Sequence, residues 1–184
     1  MRVAVSISLF LLLATGCATS NGPRQYLDEV TAATVTVTAK PWVFVANDPN
    51  AVFDKRGYLS LYTLDVNHAG SHQPYFAAMQ SSFDVGLPNE KSSPPTLEIQ
   101  ANGQTLVFHS TPQDPRQLGL AQPLEQPFAS QSRWWYFVVT KQDIAAVAQL
   151  PAPQILLTSG DVRFTYVEFR NGSKELRELA AALP

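Results

Sequence analysis

The alternation of apolar and polar side chains predicts strands over most of this chain. Thr34 to Thr38, TVTVT, alternates with a period of two and sets Val35 and Val37 on one face. PWVFVA follows from Pro41, with the proline at a strand start, where its missing amide interrupts no ladder. YLSLYTLDV, Tyr58 to Val66, changes phase near Tyr62, which suggests a bulge, and YFAAMQ comes next. In LEIQANGQTLVFH, Leu97 to His109, Asn102-Gly103 suits the two positive φ angles of a type I′ turn. Pairing outward from that turn sets Ala101 against Gln104, Ile99 against Leu106 and Leu97 against Phe108. The apolar residues then share one face, and Glu98, Gln100, Thr105, Val107 and His109 form a solvated one. RWWYFVV, Arg133 to Val139, is apolar on both faces, as a central strand would be.

Two helices interrupt this pattern late in the chain. Thr140 opens TKQDIAAVAQL, with Asp143 as its capping-box partner and Pro151 as the stop. Ser173 opens SKELRELAAAL, where Leu176, Leu179, Ala180 and Leu183 form an apolar stripe. Between them QILLT and VRFTYVEF read as a hairpin through SGD. Ser110 to Ser132, with prolines at 112, 115, 123 and 127, is a loop long enough to be functional or mobile. The sum is a mainly β domain of about eight short strands, a two-sheet β-sandwich of immunoglobulin-like or transthyretin-like form, with two short C-terminal helices. An α+β arrangement is the alternative, because the last third runs strand, helix, strand, strand, helix.

The first residues follow another logic. One positive residue, Arg2, precedes an apolar run from Val3 to Leu13, and small residues then lead into Cys17, the only cysteine. The run is shorter than the roughly 20 residues that cross a bilayer. ATGC resembles the lipobox of bacterial, Gram-negative lipoproteins, departing from it at Ala14, where that class usually carries Leu. The resemblance implies that residues 1–16 are a signal peptide and that Cys17 becomes the first mature residue. It also implies that Cys17 carries diacylglycerol on its thiol and a further acyl chain, typically palmitate, on its amine. Three chains meet the physical need for more than one, since each buried CH₂ contributes roughly 0.8 kcal/mol. Ala18 in place of the aspartate that retains such proteins in the inner membrane implies the outer membrane, facing the periplasm. A plain secretory signal peptide is the simpler alternative. Residues 17–25 read as a lipidated tether and residues 26–184 as a single periplasmic domain.

Composition narrows the partners. The formal net charge is −2, and removal of Arg2 with residues 1–16 makes it −3, so there is no basic excess to hold nucleic acid. With Cys17 acylated no thiol remains for a disulfide, and the domain must be stabilised by packing.

Candidate chemistry is sparse. If Ala69, Gly70 and Ser71 form a three-residue loop, His68 and His72 stand opposed across a hairpin and could share a metal. Zinc usually takes three or four protein ligands, so Asp65 or a distant residue would have to join them, and two exposed loop histidines are the plainer reading. No G-x-S-x-G elbow or phosphate loop is present, and no identifiable motif brings two carboxylates together. NGS at Asn171 reads as a turn before a helix cap. Trp134 and Trp135 must point to opposite faces of their strand, one into the core and the other into a second core or onto a partner.

These observations lead to an expected function: a non-enzymatic, outer-membrane-anchored binding or assembly module, with no cofactor and a protein partner in the envelope. The anchor, VTVTA and LSLYTL are similar to the type VI secretion outer-membrane lipoprotein, which implies a secretion-system or envelope-complex role. The alternatives are a metal-binding envelope protein using His68 and His72, and a periplasmic hydrolase.

Overall fold

The computed structural model describes residues 22–47, 56–82, 94–125 and 131–184, so Cys17 and the stretch read as a signal peptide lie outside the described residues. The described residues form one antiparallel sheet of ten strands with two short helices. The strands are β1 (Arg24–Asp28), β2 (Ala33–Val37), β3 (Trp42–Ala46), β4 (Tyr58–His68), β5 (Ser71–Ser82), β6 (Thr96–Ala101), β7 (Gln104–His109), β8 (Gln131–Val138), β9 (Gln154–Ser159) and β10 (Val162–Arg170). The helices are α1 (Lys141–Val147) and α2 (Ser173–Ala182).

β4 organises the sheet. β5 pairs along one edge of β4 from Tyr58↔Ser81 to His68↔Ser71 without a break in register. The other edge is shared by β3, with Trp42 opposite Leu61, and by β2, with Val37 opposite Leu64, and the chain bends between them. Beyond β3 the order runs β10, β9, β6, β7, while β8 lies outside β5. A single bridge, Ser110↔Phe137, brings the end of β7 back to β8. The sheet therefore folds over on itself into a sandwich-like ring, with β1 and β2 as a separate leaf.

Two hydrophobic clusters lie on opposite faces of β4. Leu59 and Leu61 point into the interior with Trp42, Phe44, Phe76, Ile99, Phe137 and Tyr166, and Ile144 of α1 and Leu176 of α2 complete that cluster. Tyr62, Leu64 and Val66 point outward with Val35, Val37, Tyr75 and Tyr136. The phase change at Tyr62 is thus no bulge, since the ladder with β5 is continuous. It arises because β4 is buried on both faces, which removes the polar half of the alternation.

The loop after β7 covers this outer cluster. Leu118, Leu120 and Leu124 are buried in it, Leu118 at the end of a 3-10 turn over Pro115–Leu118 that Asp114 and Gln117 cap reciprocally. Gly119 makes the close approach possible. At φ +90°, a Cβ there would stand 2.7 Å from Val66 Cγ1 and 2.6 Å from His68 Nε2. Asp28, with no exposed surface, latches the loop to the β1–β2 turn. Its Oδ1 accepts from the amides of Val30 and Thr31 at 3.1 Å each, and Oδ2 from those of Ala121 and Gln122 at 2.7 and 3.0 Å. Burial opposes its charge, but these donors outweigh it and hold the carboxyl below the ordinary carboxylate range.

Several local expectations hold in detail. The β6–β7 hairpin has the register read from its turn, with Asn102 and Gly103 at φ +48° and +77°. Thr140 and Asp143 form the capping box of α1. At α2 the capping acceptor is Asn171 Oδ1, which receives the amide and hydroxyl of Ser173 at 3.0 and 2.8 Å, so Ser173 is the first helical residue and not its cap. β1 begins at Arg24, inside the stretch read as tether.

Candidate functional site

The register places one row of outward positions side by side across five strands. Arg170 of β10 lies opposite Val43, Val43 opposite Ser60, Ser60 opposite Met79, and Met79 opposite Trp134 of β8. Arg170 reaches this row through a break in register between Glu168 and Arg170. Glu168 faces the interior, where its Oε1 accepts from Trp42 Nε1 at 3.1 Å, and Phe169 is the extra residue.

A cavity of about 320 Å³ sits over the row. Val43, Ser60 and Met79 line it, together with Tyr58, Tyr62 and Phe169, while Glu125 and Arg170 bring opposite charges to it. Tyr58 and Phe169 meet edge to face with ring centroids 5.9 Å apart. Tyr62 is 1% exposed and its hydroxyl has no hydrogen-bond partner among the described residues. Beside the cavity Trp134 packs 5.6 Å from Tyr62 and 6.3 Å from Tyr136, centroid to centroid. An aromatic strip thus runs from Phe169 to Trp134, and the loop leucines share a cluster with its Tyr62, Tyr136 and Trp134.

Trp134 and Trp135 take opposite faces, as strand geometry requires. Trp134 packs against the outer cluster and Trp135 against the interior one, where the guanidinium of Arg133 lies 5.6 Å from its ring centroid. Both rings are half-buried. β8 is covered on both faces, as read, yet among the described residues it pairs along its length with β5 only, so it borders the seam of the ring and is not paired on both edges.

The histidine hairpin differs from its expected geometry. Its loop is the two residues Ala69 and Gly70, at φ +51° and +93°, and His68 pairs with Ser71 while His72 pairs with Asn67. Losing one loop residue moves the register by one, so His68 and His72 project to opposite faces and do not converge on a shared ion. Among the described residues no group of three or more histidine, cysteine or acidic side chains could hold a metal. His72 instead pairs diagonally with Asp65, Nδ1 to Oδ2 at 2.6 Å, and Asp65 is 2% exposed. Sequence patterning does not mark Asp28, Tyr62 or Arg170 as functional groups, and it offers Asp65 only as a further metal ligand. The coincidence of an acid with a strand interior is the one signal that points to a buried partner for Asp65.

Comparison with known proteins finds no matching family model, no matching curated protein and no matching solved structure. Among the described residues no helix is long and apolar enough to cross a membrane.

Proposed function

We propose that this chain is an outer-membrane lipoprotein, held through acylated Cys17, whose β-rich domain acts as a non-enzymatic binding or assembly module facing the periplasm. The anchor rests on the lipobox-like run before Cys17. The binding role rests on one observation above the others: the continuous row from Arg170 to Trp134, which joins an aromatic strip to a cavity on the outer face of the sheet. Aromatic and arginine side chains are the residue types that dominate binding hot spots. The Asp65–His72 pair could orient an imidazole for proton transfer, but the ring's hydrogen bond among the described residues is to Asp65 alone, and no hydroxyl nucleophile is bonded to it.

The test is photocrosslinking in intact envelopes, with a photoreactive residue at position 134 and, as control, at Gln104 on the exposed β6–β7 turn. The expected result is a discrete adduct from position 134 and none from position 104. The same background from both positions would contradict a binding face at Trp134.

A further inference from the structure

We infer that the turn between β1 and β2 is a second membrane contact, at which Leu27 and Val30 insert into the surface of the bilayer that holds Cys17. The inference rests on the anchor proposed above. Val30, at 71%, is the most exposed large apolar side chain among the described residues, and Leu27, at 57%, stands three positions before it. Scattered apolar residues on a surface are ordinary, but the positions of these two are not. β1 turns Tyr26 and Asp28 into the fold, so Leu27 lies on its other side with Gln25, opposite Thr34 and Thr36, on a face that is otherwise polar. Val30 lies in the turn from Glu29 to Ala32, a setting that Gly, Asn, Asp and Ser usually fill. Hydrogen bonds fix this tip. Asp28 holds the amides of Val30 and Thr31, and the Thr31 hydroxyl donates to the Gly119 carbonyl at 3.0 Å. Little order is therefore lost when the two side chains enter lipid.

Reach and charge select a lipid surface as the occupant. Cys17 and Arg24 are seven residues apart, so β1 begins within about 25 Å of the acylated residue, the span of that many extended residues. A tip held so close meets the bilayer at a high effective concentration. Two apolar side chains are too few to bring an unanchored protein to a membrane, but they suffice as the second signal of a tethered one. The formal net charge is −2, or −3 without Arg2, and Glu29 stands beside Val30, so attraction to anionic headgroups is not the driving force. Insertion is apolar and suits zwitterionic phospholipid. A stable protein interface buries about 800 Å² on each side around an apolar centre, whereas here Gln25, Glu29 and Thr34 surround the two side chains with polar groups.

The test is photocrosslinking in intact cells grown with radioactive phosphate. A benzophenone amino acid is placed at position 27 or 30 of the full chain and, as control, at Val107, an exposed valine of β7. Palmitate incorporation is measured on the same chains. Neither diacylglycerol nor palmitate contains phosphorus, so a light-dependent phosphate label reports a captured phospholipid and not the anchor. Positions 27 and 30 should both give such a label, removable by phospholipase C, and position 107 should give none. No label from either position in chains that incorporate palmitate would overturn the inference and leave the anchor standing. Equal label at position 107, or a protein adduct in place of the phospholipid, would overturn it in the same way. Chains that incorporate no palmitate would overturn the anchor, and the inference with it.

Discussion

Asp28→Asn is the perturbation that most directly probes how the outer face is closed. The substitution keeps shape and volume but replaces one carboxylate oxygen with an NH₂ donor. Four amides converge on the native carboxylate, two from its own turn and two from the loop at Ala121 and Gln122. The remaining amide oxygen can serve one pair, and the NH₂ then faces the donors of the other. Two charge-assisted hydrogen bonds are lost at a buried site, each worth about 1.5 kcal/mol or more, so the expected cost is about 3 kcal/mol. In urea, with a slope near 2 kcal/mol per molar, the midpoint should fall by about 1.5 M. The pH dependence follows in sign. The folded-state carboxyl lies below its ordinary value, so its contribution is fully present above about pH 4, the unfolded value, and is lost as pH falls through the folded one. The stabilities of the wild type and the Asp28→Asn variant should therefore differ at pH 7 and converge below about pH 4. A variant within about 0.5 kcal/mol of wild type at pH 7, the range of ordinary surface changes, would refute the latch.

Two further perturbations separate the faces of the fold. Trp135→Ala should cost about 3 kcal/mol in chemical denaturation, because the ring packs on the interior cluster, whereas Trp134→Ala should cost about half as much and chiefly remove the position-134 contact face. Equal losses from the two would contradict their placement. His72→Ala leaves the buried Asp65 carboxylate without its hydrogen bond and should cost about 1–3 kcal/mol at pH 7, while His68→Ala, on the opposite face, should stay within about 0.5 kcal/mol. The same pair of variants, measured by thermal denaturation with and without zinc, should show no zinc-dependent stabilisation that both histidines share.

The parts of the fold that were legible from the chain are those decided by neighbouring residues. Asn102-Gly103 specifies its turn, and that turn fixes the register of Leu97 to Phe108. Thr140 and Asp143 specify a helix start in the same local way. What the pattern could not reveal depends on contacts distant in sequence. Leu118, Leu120 and Leu124 are spaced in even steps, but Pro115, Gly119 and Pro123 interrupt any strand there, and the loop that carries them packs on β2, β4 and β5 and not in a ladder of its own. The loop length at Ala69-Gly70 was ambiguous because Ala69 adopts a positive φ, a conformation that Gly or Asn usually marks. That one residue decided whether the two histidines converge. The candidate cavity was invisible for a similar reason: Arg170 joins it through an extra residue in β10, and nothing in VEFRNG distinguishes that break from continued alternation.

Fatty-acid labelling with membrane fractionation of wild type and Cys17→Ser tests the proposed anchor at Cys17 most directly. The wild type should incorporate the labelled acyl chain and sediment with membranes through a high-salt wash. The Cys17→Ser chain should incorporate none and leave the membrane fraction or remain unprocessed, since the proposed acyl chains, at roughly 0.8 kcal/mol per buried CH₂, are then absent. A serine variant that is processed, unlabelled and still bound to membranes in high salt would contradict the lipid anchor.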